Sequence, residues 1–565
     1  MKKIVTFSVI LIAVLSTSCD DSDIKVIETS EIPTTPAIVG IEKHTTDNQL
    51  LTFGFSQAKN KQALLKNYTA TISTGDSINI FIPYLSDFKL IPTFSISTNA
   101  KAMACGSEQF TDSTAIDFSK PVAFQIVAPD SNFIHTYIVN VYNSGLPVVY
   151  IETPNSKDIT SKTEWMDNAT MRIYLKDGVL DYDSDVDGVQ IRGRGNSTWS
   201  ATTEKRPYAI KLNKKSKILG MAKHKRWVLL ANYYDATFFR NAFANYLGHN
   251  YTNLDWTPSG ESVELVLNGA HKGNYYLCEQ ARMSNKRIPG EYLVEADRKE
   301  GSGQITGIKT GNYFNIKDVA NDSIEDTDPQ AVAYVKSILD RFETTLYGDD
   351  FLDTDKGYKK LADLESFVDW FLIKELSKDY DGNMYTSCYC HIMEDSIIRM
   401  GPIWDFDLAF GGNPFEQMMG GGFGGFGGFG FGGGTDYGWY NEPEGYHIAD
   451  ADWFVQMFKD PDFINLLSQK VDNMLNGLDN ILQYIDYNTD YLSLSASANT
   501  IGYSTSGSSF GGFGGFGGFG GFGGWGNTAT TTTTQKKSYT EEMQVIKTFV
   551  SERLKWMQSD LNTRK

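Results

Sequence analysis

Two stretches built from Gly-Gly-Phe repeats, residues 420–434 and 507–526, limit what this chain can fold into more than any other feature. Together they hold 23 of its 52 Gly. Backbone so rich in Gly loses more entropy on ordering than scattered Phe side chains return, so both stretches are expected to be disordered, mobile loops. Surface loops accept such expansions cheaply, and the repeated Phe gives these two an adhesive character. The remaining sequence has an ordinary globular composition. Its 565 residues exceed the roughly 250–300 that one hydrophobic core serves, so several domains are expected.

The N-terminus reads as an export signal. Lys2 and Lys3 precede Ile4 to Leu15, an apolar run too short to span a bilayer comfortably, and Ser16-Thr17-Ser18 lead to Cys19. Leu15 with small residues before Cys19 resembles a lipobox, where the thiol is acylated and the chain is cut just before it. Asp20, Asp21 and Asp23 resemble the surface-export signal of Bacteroidetes lipoproteins. Residues 1–18 are thus expected to be a signal peptide. Cys19 would hold the mature chain outside the cytoplasm, at the outer membrane and facing the surface, with the lipid its only membrane contact.

Loss of Lys2 and Lys3 makes a formal charge of −18 two units more negative. That excess argues against nucleic acid and anionic membrane faces as partners. Cys105, Cys278, Cys388 and Cys390 are too few for a disulfide framework. Cys388 and Cys390 lack a second pair for zinc, and strand alternation explains them as packing. The seven His are scattered singly from His44 to His447.

Residues 19–36, polar and Pro-containing, read as a tether. Residues 37–145 read as short alternating strands, among them Ile78 to Ile82, Phe124 to Ile126 and Tyr137 to Val141, and predict an all-β sandwich of immunoglobulin type. Residues 146–565 change to an α+β texture. Phe238 to Leu247 and Leu364 to Leu376 carry apolar residues at helical spacing, and Val263 to Leu267 reads as a strand. A last helix is predicted after Ser538-x-x-Glu541, a capping-box pattern, with Ile546, Phe549, Val550, Leu554 and Met557 on one face.

Three stretches set polar residues where a fold would want apolar ones. Ile191 to Trp199 places Gly193, Arg194, Gly195, Asn196 and Ser197 in a turn that can offer N–H groups and positive charge to an anion. In the following strand Lys211 points away from Tyr208, Ile210 and Leu212; by itself such a Lys is usually solvated. The second stretch is Lys378 to Asn383, after an amphipathic helix that ends near Glu375. The third, Gly401 to Gly411, buries Asp405 and Asp407 in an apolar run, which is costly unless they are paired or bound to a metal such as Mg²⁺. A salt bridge to Arg192 or Arg240 is the structural alternative. Asp183, Asp185 and Asp187-Gly188 match the front of a calcium loop, but Arg194 stands where its final Glu belongs.

Five blocks occur in order: Arg192 to Trp199, Lys205 to Leu212, Leu230 to Asp235 leading to Arg240-Asn241, Gly273 to Gln280, and Gly401 to Gly411. Together they resemble the spore-coat CotH family of atypical, secreted protein kinases, from roughly Val148 to the C-terminus. The resemblance implies a kinase-like fold, ATP with Mg²⁺ or Mn²⁺, and transfer of the γ-phosphoryl to a Ser or Thr hydroxyl of an exported or surface protein. It assigns nucleotide phosphates to Lys211, with Arg194, Asn196 and Ser197 in the Gly-rich turn, and sets Glu279 near the nucleotide. Asp381 would orient the substrate hydroxyl, with Asp379 the alternative. Asp405 would bind metal, and Asp407 would share that task. One departure is Thr386, which stands five residues after Asp381 where a conventional kinase has a metal-binding Asn.

The competing reading is a catalytically inactive surface scaffold or adhesion lipoprotein on the same fold. A carbohydrate-active lipoprotein would need an acid/base carboxylate pair that cannot be placed apart from the acids already assigned. An address outside the cytoplasm also separates the site from the usual supply of ATP.

Overall fold

The computed structural model describes residues 48–499 and 537–565, apart from 62, 65–66, 71, 73–75, 83–87, 130–132, 177, 185–186, 202–204, 298–302, 322–326, 381, 385 and 413–440. The signal peptide, Cys19, the tether, both Gly-Phe inserts and Asp381 lie outside the described residues. The chain divides into two units, Met1–Asn143 with Lys176–Val179, and Ser144–Leu175 with Leu180–Lys565.

In the first unit, the three-stranded sheet centred on Leu50–Phe55 and the five-stranded sheet holding Val122–Val127 and Ile134–Tyr142 share one core. The alternation in Val122–Val127 buries Val122, Phe124 and Ile126. Phe53 meets Phe55, Phe118 and Phe124 edge-on at the centre of that core. One pairing is parallel, Ile134–Tyr142 against Ser77–Phe81.

The second unit combines β-sheet with a C-terminal helical part. Seven strands follow one another around a ring: Val148–Glu152, Gly260–Leu267, Ala270–Glu279, His224–Leu230, Tyr208–Ser216, Val189–Gly193 and Met166–Tyr174. The last pairs antiparallel with the first and closes a barrel. Ile191, Ile210, Trp227, Leu229, Leu265 and Leu277 fill its interior. The intervening residues Arg192, Lys211, Arg226, Val228 and Cys278 therefore belong to the outer wall.

A second, five-stranded sheet runs in the order Ile305–Thr306, Tyr313–Val319, Tyr292–Ala296, Cys388–Ile392, Ile398–Met400. Cys388 and Cys390 both lie buried on its core face. Around it pack helices that include Arg240–Tyr251, Pro329–Leu346, Leu364–Ser377, Pro461–Asn476 and Tyr539–Arg564. The last begins at a complete capping box on Ser538 and buries Ile546, Phe549, Val550, Leu554 and Met557. Leu364–Ser377 differs from expectation. It is buried on every side from Ser366 onward rather than amphipathic, and it carries Asp369, Lys374 and Glu375 into the core. Each of these charges has an ion partner, Lys470, Asp379 and Arg553 respectively, which is what makes their burial tolerable.

Candidate active site

The site lies where the barrel's outer wall meets the loop 401–411 and the segment 378–387. Trp404 packs against Val228, Leu230, Tyr276 and Cys278 of the wall and seats that loop. The alternation of the loop follows from this seat: Trp404 and Phe406 are buried, while Asp405 and Asp407 are only half-buried. Asp405 adopts a left-handed backbone conformation, φ 68°.

Three side chains hold the loop from beneath. Lys374 donates to the Trp404 carbonyl at 2.6 Å and to Asp379 Oδ2 at 2.5 Å, with its ammonium 4.2 Å from the Phe406 ring. Burial would lower the Lys374 pKa, but Asp379, then Cys388 and Asp405, outweigh it and raise it, so the ammonium stays charged. Asn241 Oδ1 accepts from the Phe406 N–H at 2.9 Å. Arg240, ion-paired with buried Asp235, donates to the Ala409 carbonyl at 2.8 Å and reaches Glu542 of the C-terminal helix at 3.3 Å. A Cβ on Gly382 would stand 2.9 Å from both Asp379 Oδ2 and Lys374 Cδ, so a side chain there would displace this pair.

Asp379 and Asp405 thus share Lys374 as a neighbour, and Ser387 Oγ donates to Asp405 Oδ2 at 3.1 Å. Thr386 donates to Asp297 at 3.4 Å. Asn383 lines a cavity of about 310 Å³ with Tyr446, His447, Asp450 and Ala451, and its buried Oδ1 has no hydrogen bond among the described residues.

Arg194 reaches this place from the Gly-rich turn, with its guanidinium 5.7 Å from the Trp404 ring. Gly193 permits the turn: a Cβ there would fall 2.1 Å from the Trp199 ring. Asn196 is exposed and accepts from Lys162 at 3.3 Å, while Ser197 begins a five-residue helix, Ser197–Ala201. Lys211 lies further along the wall, in register with Gln190 and Arg226. Its pKa is lowered by burial and by Arg226 and Lys225.

Glu279 is not in that company. It lies 3.4 Å from Arg287, which caps the barrel against Trp227, and it lines a separate cavity of about 300 Å³ with His249, Asp255 and Trp256. Arg192 donates to the Lys162 and Thr163 carbonyls, and Arg240 is taken up by Asp235, Glu542 and Ala409. In the calcium-like segment Asp183 pairs with Arg172 and Asp187 with Lys214; Asp185 lies outside the described residues. Sequence reasoning missed Lys374, Asn241, Arg226 and Arg282. The signal for Lys374 was present, since a Lys inside Phe371 to Leu376 is as anomalous as the Asp residues inside Trp404 to Phe410.

Among the described residues no three His, Cys, Asp or Glu side chains converge as a metal cage. Asp405, half-buried with the Ser387 hydroxyl beside it, is nevertheless a carboxylate of the kind that suits Mg²⁺, which commonly takes one or two carboxylates and completes its shell with water and substrate phosphates.

The architecture is that of a multidomain β-rich protein with a C-terminal helical part, and residues 191–557 match the family model described as CotH kinase protein. The chain belongs to the CotH family. No curated relative matches it. Among solved structures it is similar to a candidate glycoside hydrolase from Bacteroides thetaiotaomicron, 14% identical over 48% of this chain and 67% of that one. The TM-score is 0.15, and a likeness that slight carries no argument.

Proposed function

We propose that this chain is a lipid-anchored, exported protein kinase that transfers the γ-phosphoryl of ATP, with Mg²⁺ or Mn²⁺, to Ser or Thr of exported proteins. The observation that carries the reading is the convergence at Lys374, where one buried ammonium ties Asp379 to the loop bearing Asp405. Phosphoryl transfer needs positioning and charge neutralisation more than covalent help, and that arrangement supplies positioning.

Asp405 and Asp407 would hold the metal, which when bound neutralises charge on the donor phosphates. Lys211 and Arg194 would steady those phosphates. The family resemblance gives Asp381 the task of orienting the acceptor hydroxyl. Asp379 is committed to Lys374, so its role here is to fix the segment leading to Asp381. Cys19 would anchor the chain outside the cytoplasm, and the N-terminal unit would serve as an immunoglobulin-type spacer or docking module.

The test is incorporation of labelled phosphate by the purified mature chain with ATP and Mg²⁺ or Mn²⁺, against an Asp405→Ala control. Label no greater than the control would defeat the reading. An inactive scaffold or adhesion lipoprotein is the second reading, favoured by Thr386 standing where a metal-binding Asn is usual. Absence of any nucleotide-dependent thermal stabilisation would favour that alternative.

A further inference from the structure

The hairpin that joins Tyr208–Ser216 to His224–Leu230 reverses the charge of the chain around it. Residues 211–226 carry six Lys, one Arg and no Asp or Glu, in a protein whose formal charge is −18. Lys211 and Arg226, with Arg192 and Arg282 near them, belong to the wall beside the site already described. Beyond them, toward the turn of the hairpin, Lys214, Lys215, Lys217 and Lys223 are all exposed.

The turn explains why only cations remain outside. Leu219 and Gly220 both take the left-handed conformation, φ 48° and 76°, which folds the chain back on itself. Ile218 and Met221 on either side point inward and join the barrel core. The apolar side chains of the turn are thereby taken up by the barrel, and lysine is what the hairpin presents to solvent.

Two carboxylates border the patch. Asp187 pairs with Lys214 at 2.5 Å, and Asp181 accepts from the Leu219 N–H at 2.8 Å. Among the described residues, Lys215, Lys217 and Lys223 have no ion partner. His224 feels the excess: burial, then Arg287 and Lys215, push its imidazole down to about 4. The acidity of the whole chain argues against an anionic membrane face as a partner, but it does not cancel this patch. At physiological salt, exposed charges more than about 8 Å apart are largely screened from one another.

The composition of the patch selects its partner. Protein interfaces centre on Tyr, Trp, Met and Arg and are poor in Lys, whereas residues 211–226 hold no Tyr, Trp or Phe, and Met221 is buried. The aromatic side chains on which single-stranded nucleic acid stacks are missing for the same reason. Point charges on long flexible stems, with nothing apolar to insert, suit a surface of anionic lipid headgroups.

We infer that Lys215, Lys217 and Lys223, with Lys214 at their edge, make an electrostatic contact with the anionic headgroups of a lipid bilayer, without insertion. The inference goes beyond the kinase reading and does not depend on it. A chain that Cys19 would tether to a bilayer stays within reach of such a surface, and a basic patch is the kind of second signal that steadies a lipid anchor.

Cosedimentation with vesicles tests it, using the full chain after Cys19 produced without lipid. Binding is expected to phosphatidylcholine vesicles that contain phosphatidylglycerol, with little to phosphatidylcholine alone, and it should weaken steeply as salt rises. Each lysine close to such a leaflet is worth roughly fivefold in partitioning, so Lys215→Gln with Lys217→Gln should weaken binding roughly twentyfold. Their melting temperature should match wild type, because both side chains are exposed, and this separates lost binding from lost fold. Lys215→Arg with Lys217→Arg, which keeps both charges, should bind as wild type does. So should Lys309→Gln with Lys555→Gln, exposed lysines elsewhere in the second unit. Equal binding to both kinds of vesicle, or to neither, would overturn the inference, as would equal losses in the hairpin variant and the Lys309 and Lys555 variant. Preference for duplex DNA over anionic vesicles would also overturn it and give the patch a nucleic-acid partner instead.

Discussion

Lys374 and Asp379 meet at 2.5 Å in the interior, and the same ammonium donates to the Trp404 carbonyl one residue before Asp405. A charge pair therefore connects the two segments on which the proposed chemistry depends. Lys374→Met should take from the buried Asp379 carboxylate its ammonium partner, and loss of one partner from such a pair costs about 3–5 kcal/mol. Urea unfolding checks this; a loss below about 1 kcal/mol, the range of exposed pairs, would show that the bond carries little.

Asp405→Asn keeps the size of the side chain and its contact with Ser387 while removing the charge. Phosphoryl transfer should fall by at least about a hundredfold, in the range lost when one electrostatic stabiliser is removed. The melting temperature without ligand should hardly change, because Asp405 is only half-buried. Mg²⁺-dependent stabilisation in the presence of ATP should disappear, and scanning fluorimetry reads both quantities.

Asn241→Ala would strip the Phe406 N–H of its acceptor. A buried donor left unmet costs about 1–3 kcal/mol. The informative readout is the Mg²⁺ concentration at half-maximal activity, which should rise because the loop bearing Asp405 and Asp407 loses a support. Loss of stability with no change in Mg²⁺ dependence would assign Asn241 a purely structural role.

Lys205 predicts a pH dependence. It is buried against Phe238 and Tyr275, donates to Asn499 at 2.9 Å, and burial lowers its pKa to about 7. Above pH 7 the folded chain holds this lysine neutral while the unfolded chain still protonates it. Unfolding then takes up a proton, so this group makes stability rise with pH, by at most about 1.4 kcal/mol per unit. Below pH 7 both states are protonated and the effect vanishes. The stability difference between wild type and Lys205→Met should therefore grow from pH 7 to pH 9, and a flat difference would refute the assignment.

Local signals made much of this legible. The cap at Ser538 and the apolar face after it specify the last helix, and the spacing of Cys388 and Cys390 specifies a strand. Barrel closure was not legible, because Val148–Glu152 pairs in parallel with Gly260–Leu267 across more than a hundred residues and no turn chemistry encodes that contact. The Leu364–Ser377 helix looked amphipathic because Asp369, Lys374 and Glu375 read as a solvent face, whereas partners distant in sequence cover each of them. The site divides in the same way. Asp405 and Asp407 stand out inside an apolar run, but Arg226 and Arg282 resemble ordinary surface cations until the fold brings them together.

The closed ring of strands has a consequence for how this protein meets others. Among the described residues, the barrel carries only the four-residue Leu180–Asp183 as an appended strand, and the second sheet ends on strands of two and three residues, Ile305–Thr306 and Ile398–Met400. Short flanks of this kind give an incoming chain almost no ladder to extend. Crowded copies of the second unit should not zip together edge to edge. Under the proposed kinase reading, a polypeptide substrate would be gripped through its side chains and by loops, which favours acceptors presented on extended or unstructured segments over acceptors recruited by strand addition.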